Sequence, residues 1–119
     1  MSGVVVWFTG LPSSGKTTLA GRVARALAAA GRAHCVLDGD AVRAALVPPP
    51  GYDAASRAAF YATLARLAAL LARQGLVVLV PATAHRRAFR DDARALAPRF
   101  VEVFVSTDVD TCRAATDAR

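Results

Sequence analysis

Apolar positions in this chain follow two periods in alternation. Val4 to Thr9 is a short unbroken apolar and β-branched run, the pattern of a strand buried on both faces of a parallel sheet. Glycine-rich sequence follows at once. From Lys16 to Ala30 the residues are mostly strong helix formers, and Gly31 is their natural stop. A second strand is predicted over His34 to Asp38, after which Gly39 and Asp40 turn the chain into a short helix from about Ala41 to Leu46. Pro48, Pro49, Pro50 and Gly51 forbid its continuation.

Ala54 to Gln74 is the longest helical stretch. At about 100° per residue, Phe60, Leu64, Leu67 and Leu71 share a stripe roughly 60° wide, and that stripe is predicted to face the sheet. Arg66 and Arg73 then lie on the far side, while Arg57 sits near the stripe's edge, within reach of a site beside the sheet. Leu76 to Val80 reads as a third buried strand, Arg86 to Leu96 as a helix, Phe100 to Val105 as a fourth strand and Asp108 to Ala118 as a further helix. Strands alternating with helices specify an α/β three-layer sandwich on a parallel sheet of about four strands, with right-handed crossovers.

Composition narrows the function classes. The 119 residues suffice for one domain, 1–119, and 55% apolar against 20% charged residues is far from the composition of a disordered chain. The longest apolar run, Leu76 to Ala82, falls well short of the roughly 20 residues of a membrane span, so no membrane partner is expected. The N-terminus carries no basic segment and no signal-peptide pattern, which makes a cytoplasmic location the expectation. Cys35 and Cys112 are far apart and read as small core hydrophobes, not as a disulfide framework. A net charge of +6 suits a polyanion, yet the basic residues are dispersed and few aromatics are interleaved among them. They read as solvated helix faces, and nucleic acid is not an expected partner. Of the fifteen basic residues, Lys16 is the only lysine.

That lysine stands in Gly10-Leu11-Pro12-Ser13-Ser14-Gly15-Lys16-Thr17, two glycines spaced for a phosphate-binding loop and followed by Lys and Thr. The motif follows a predicted strand and opens a predicted helix, where backbone N–H groups converge on phosphate. Gly10 through Thr18 are therefore the candidate ATP-binding residues. Lys16 supplies a point charge for the β- and γ-phosphates, which arginine's planar fork would not, and the Thr17 hydroxyl is a candidate Mg²⁺ ligand. Leu37-Asp38-Gly39-Asp40-Ala41-Val42-Arg43 ends the second strand with two carboxylates and an arginine. Ligands of parallel sheets gather at such strand ends. Asp38 or Asp40 is placed to hold Mg²⁺ through water or to accept the proton of an attacking hydroxyl, and Arg43 to bind an anionic group. The alternative is an Asp-Gly turn with a capping carboxylate and a surface arginine.

With both motifs present, the sequence resembles the adenylylsulfate kinase (APS kinase) family. The likeness continues through Gly51-Tyr52 with Arg57, Val77 to Val80 with His85-Arg86, and Phe100 to Val105 with Cys112. The resemblance implies transfer of phosphate from MgATP to the 3′-hydroxyl of adenylylsulfate, giving PAPS for sulfate assimilation. It implies that Arg43 and Arg57 bind the phosphosulfate end, that Tyr52 replaces a phenylalanine stacked on the adenine, and that Asp38 and Asp40 match paired aspartates near the metal and the hydroxyl. Lys16, Asp38 and Asp40 are thus the candidate catalytic residues, and Thr83 stands at a serine position of the loop after the third strand. The partner implied is a small-molecule substrate, and between a monomer and a homodimer the sequence leaves both open. Departures are equally specific. Where the family carries Asn-Ile-Arg-Arg, this chain has Phe60-Tyr61-Ala62-Thr63, and a Ser-Pro pair is Thr83-Ala84. The family's lysine-bearing lid and final strand have no counterpart before Asp117-Ala118-Arg119, so a form that binds nucleotide better than it turns over is expected. Two alternatives stay open: a related P-loop kinase acting on another small hydroxyl compound, and a non-catalytic nucleotide-binding remnant.

Overall fold

A computed structural model describes residues 3–10, 15–83 and 86–105. The strands are β1 (Val4–Gly10), β2 (His34–Val36), β3 (Val77–Pro81) and β4 (Phe100–Val105). The helices are α1 (Lys16–Ala29), α2 (Gly39–Ala45), α3 (Ala54–Arg73) and α4 (Arg87–Leu96). All strand pairs are parallel, in the order β2-β3-β1-β4, so the chain's first strand lies inside the sheet. This is the four-stranded α/β architecture that the periodicity predicts. The helix expected over residues 108–118, and Cys112 within it, lie outside the described residues.

Alternation along β1 explains the layers. Val5 and Trp7 join one core with Val78, Val80 and residues of α3 and α4, while Phe8 joins a second with Val77, Leu79 and Ala20 of α1. Helices therefore cover both faces. Trp7 is fully buried and its indole Nε1 has no hydrogen-bond partner among the described residues. Burying an indole of about 200 Å² gains about 5 kcal/mol, against about 1–3 kcal/mol for an orphaned donor, so packing wins.

Four details differ from the sequence expectation. β2 ends at Val36, because Asp38 is drawn out of the strand to cap α2, its side chain accepting from the Asp40 N–H at 3.4 Å. α2 consequently begins at Gly39, two residues early. β4 is only half-buried, with Val101 and Phe104 exposed, because it is the edge strand among the described residues. On α3 the buried residues are Phe60, Tyr61, Leu64, Ala65, Ala68, Ala69 and Ala72, whereas Leu67 and Leu71 are half-buried. That face centres about 80° round from the leucine stripe. Alanines let α3 approach the sheet and α4 closely, which leucines at the same positions would prevent. The same rotation puts Arg57 inside the buried face instead of at its edge.

Candidate active site

Two glycines bracket the start of the site. Gly10 closes β1 with φ 145° and Gly15 caps α1 with φ 98°, both in the region that side chains disfavour, so glycine is required at each. Leu11, Pro12, Ser13 and Ser14 between them lie outside the described residues, as do Ala84 and His85 of the later loop. Among the described residues the first turn of α1 has no capping side chain, and it contains no acidic residue. Its orphan N–H groups and positive dipole end are left for an anion. Lys16 is buried in that same turn, and its Nζ donates to the Gly10 carbonyl at 3.1 Å. Burial lowers its pKa below the usual 10.5, while the carboxylate of Asp40 pulls the other way. Thr17 and Thr18 are exposed beside it.

From Thr17 a cavity of about 410 Å³ runs past the carboxyl ends of β2 and β3. Asp38, Gly39 and Asp40 form one wall where β2 gives way to α2, and Pro81, Ala82 and Thr83 form another beyond β3. Arg43, Tyr52 and Arg57 complete the rim. Every described candidate from Thr17 onward, Thr18 excepted, therefore borders one space. Arg43 has a second occupation: its Nη1 donates to the carbonyls of Pro50 and Gly51 at 3.2 and 3.1 Å. Its guanidinium lies 4.4 Å from the Tyr52 ring centre and 4.3 Å from that of Phe60, a cation–π contact to each. Neither an anion-binding nor a structural reading of Arg43 alone is complete. Asp38, likewise, caps a helix and borders the cavity.

Phe60 and Tyr61 also line this cavity, whereas the sequence placed Phe60 on the apolar stripe of the helix and both residues among the departures from a family pattern, and neither at the site. The signal was available: they follow Arg57 by three and four residues, the spacing that shares a helix face. Tyr61 is buried, stacks on Phe89 with ring centres 4.6 Å apart, and donates its hydroxyl to the Thr83 carbonyl. Burial raises the pKa of this phenol above 10.0, against the opposing influence of Arg43 and Arg57.

Magnesium needs few protein ligands, commonly one or two carboxylates or hydroxyls with water and substrate phosphates completing the octahedron. No group of three or more His, Cys, Asp or Glu able to hold a metal occurs among the described residues. The Thr17 hydroxyl and the carboxylates of Asp38 and Asp40 on one cavity are donors of the kind Mg²⁺ takes beside substrate phosphates. No helix of the described residues is long and apolar enough to cross a membrane.

The family model for adenylylsulphate kinase matches residues 2–119. Over 110 residues the chain is 43% identical to the adenylyl-sulfate kinase of Synechococcus sp. (strain JA-3-3Ab), covering 92% of this chain and 62% of that protein. It thus spans less than two thirds of such a relative's length. The APS kinase CysC of Mycobacterium tuberculosis, solved in complex with AMPPNP and APS, superposes with a TM-score of 0.81 at 41% identity, over 95% of this chain and 68% of that one. A mutant structure of the same kinase gives 0.82 at 33% identity, over 99% of this chain and 98% of that one.

Proposed function

The chain belongs to the adenylylsulphate kinase family, and from that premise we propose that it transfers the terminal phosphoryl group of ATP to the 3′-hydroxyl of adenylylsulfate. The observation that carries this reading is the single cavity on which Thr17, Asp38, Asp40, Arg43, Tyr52, Arg57 and Thr83 converge. Lys16, next to Thr17 and bonded to Gly10, is in place to exchange that carbonyl for β- and γ-phosphate oxygens. Thr17 and Asp38 would hold Mg²⁺, which would offset phosphate charge. In the transfer, a bond forms between the acceptor oxygen and the γ-phosphorus while the bridge to the β-phosphate breaks. Asp38 or Asp40 accepts the hydroxyl proton. Arg43 and Arg57 hold the anionic end of the acceptor, and the exposed face of Tyr52 supports its base.

One observation favours a second acceptor class. Phe60 and Tyr61 put aromatic surface where the resemblance leads one to expect an asparagine and an isoleucine, which suits a different small hydroxyl compound. A labelled-ATP assay decides between the two. Radioactivity transferred from γ-labelled ATP to adenylylsulfate supports the first reading, and transfer only to a member of a panel of small alcohols supports the second. Nucleotide binding with no transfer to any acceptor overturns both.

A further inference from the structure

Phe60 and Tyr61 each tie a loop to α3. Phe60 covers one face of the Arg43 guanidinium, whose Nη1 holds the carbonyls of Pro50 and Gly51, so the segment before α3 is fastened to it. Tyr61 fastens the other side. Its ring meets Phe60 edge-on with centres 5.4 Å apart and stacks on Phe89 of α4 at 4.6 Å. Its hydroxyl reaches across to the carbonyl of Thr83, two residues past the end of β3 and itself on the cavity wall. A phenylalanine at position 61 would keep both ring contacts. The hydroxyl adds a hydrogen bond from α3 to the segment after β3, beyond the apolar packing of Ala82 against α3, and a buried hydroxyl that lost this partner would be left unsatisfied. Because burial disfavours its ionised form, the phenol remains a neutral donor throughout the physiological range.

We propose that Tyr61 is a positioning residue for the acceptor: its hydroxyl pins the Thr83 main chain to the cavity wall, so that acceptor recognition depends on it and nucleotide binding does not. This rests on the adenylylsulfate reading above. The nucleotide's phosphates are served by α1 and the glycines around it, an element that Tyr61 does not touch among the contacts seen. The cavity begins at Thr17 of α1, and its walls away from α1 come from α2, Tyr52, α3 and the end of β3 with the segment after it, where the acceptor is proposed to lie.

The test is calorimetric titration of the wild-type chain, Tyr61→Phe and Phe89→Leu, first with MgADP and then with adenylylsulfate at saturating MgADP, with a thermal melt of each protein. For Tyr61→Phe the adenylylsulfate Kd is expected to rise about fivefold, the size of one lost hydrogen bond, with the MgADP Kd unchanged within about twofold. Phe89→Leu, which removes ring stacking but leaves the hydroxyl, is expected to lower Tm and leave both Kd values within about twofold. Equal losses for both ligands in Tyr61→Phe, no loss for either, or a Tyr61→Phe protein that no longer melts cooperatively would each overturn the inference. So would a matching fivefold acceptor loss in Phe89→Leu, since packing would then be the cause. A wild-type chain that binds MgADP but not adenylylsulfate overturns this inference together with the functional reading it rests on, whereas wild-type binding that Tyr61→Phe leaves intact overturns the inference alone.

Discussion

Lys16 occupies a position that stability alone would not choose. It is a buried cation in the first turn of a helix, at the positive end of the dipole, with a carbonyl as its hydrogen-bond partner. Removing the charge while keeping the length, as in Lys16→Met, is therefore expected to leave Tm at pH 7 unchanged or raised and to abolish MgADP binding. A Tm fall of more than about 5 °C, which is roughly 1 kcal/mol for a small domain, would show instead that the bond to Gly10 supports the fold. The pH dependence has a definite sign. Because burial lowers the folded pKa below 10.5, the unfolded state binds more protons between the lowered value and 10.5. The cost of the buried charge is present at neutral pH and fades as pH rises through that window, so the stability gap between Lys16→Met and wild type should narrow there. Denaturant titrations at stepped pH check it. This residue was legible in the sequence because composition and motif agreed on one lysine. The face that Phe60 and Tyr61 share with Arg57 was legible from spacing, but their roles were not, because these lie in partners at Arg43, Thr83 and Phe89, which only the fold brings together.

At the scale of elements, α3 begins where Asp53 accepts from the Ser56 N–H at 3.2 Å and from the Ser56 hydroxyl at 2.7 Å. These bonds hold its pKa below 3.8, the Ser56 side chain contributing most. A depressed carboxylate pKa adds stability above 3.8 and loses it as pH falls through the lower folded value. Asp53→Ala is thus expected to lower Tm at neutral pH, and the difference from wild type should vanish in acid. A difference that persists unchanged below that range would mean the cap acts through something other than the carboxylate. Strand and helix boundaries were read from the sequence to within about two residues because glycine, proline and capping residues punctuate the chain at each. The buried face of α3 was misjudged for a physical reason. Hydrophobicity weights leucine above alanine, but a helix wedged between a sheet and a neighbouring helix buries whichever side permits close approach, and here that side is rich in alanine.

The whole molecule is drawn together near its first described residue. The Gly3 N–H donates to Ala72 at the end of α3 at 2.6 Å, and its carbonyl accepts from Arg99 Nε, just before β4, at 3.4 Å. A Cβ placed on Gly3 would stand 1.8 Å from the Leu76 carbonyl oxygen, a backbone atom that cannot step aside cheaply. Gly3→Ala is expected to cost on the order of 3 kcal/mol, the upper range for overpacking, and to lower Tm by roughly 10–15 °C. A melt within a couple of degrees of wild type would show that the turn before β3 has room to give. At the β4 edge of the sheet, Glu102 holds Arg90 and Arg94 of α4 at 3.2 and 3.1 Å and fastens the last described strand to its helix. The order β2-β3-β1-β4 has a consequence in time. Val4 of β1 pairs with Val77, and Val5 with Phe100, so the strand made first finds its partners only after about 70 further residues have been added for one side and about 95 for the other. At roughly 5–20 residues per second on the ribosome, β1 waits several seconds as an apolar segment without a sheet. The glycines of the phosphate site cannot be set in place before that wait ends, so a nascent chain interrupted before β3 emerges has no assembled cradle with which to bind nucleotide.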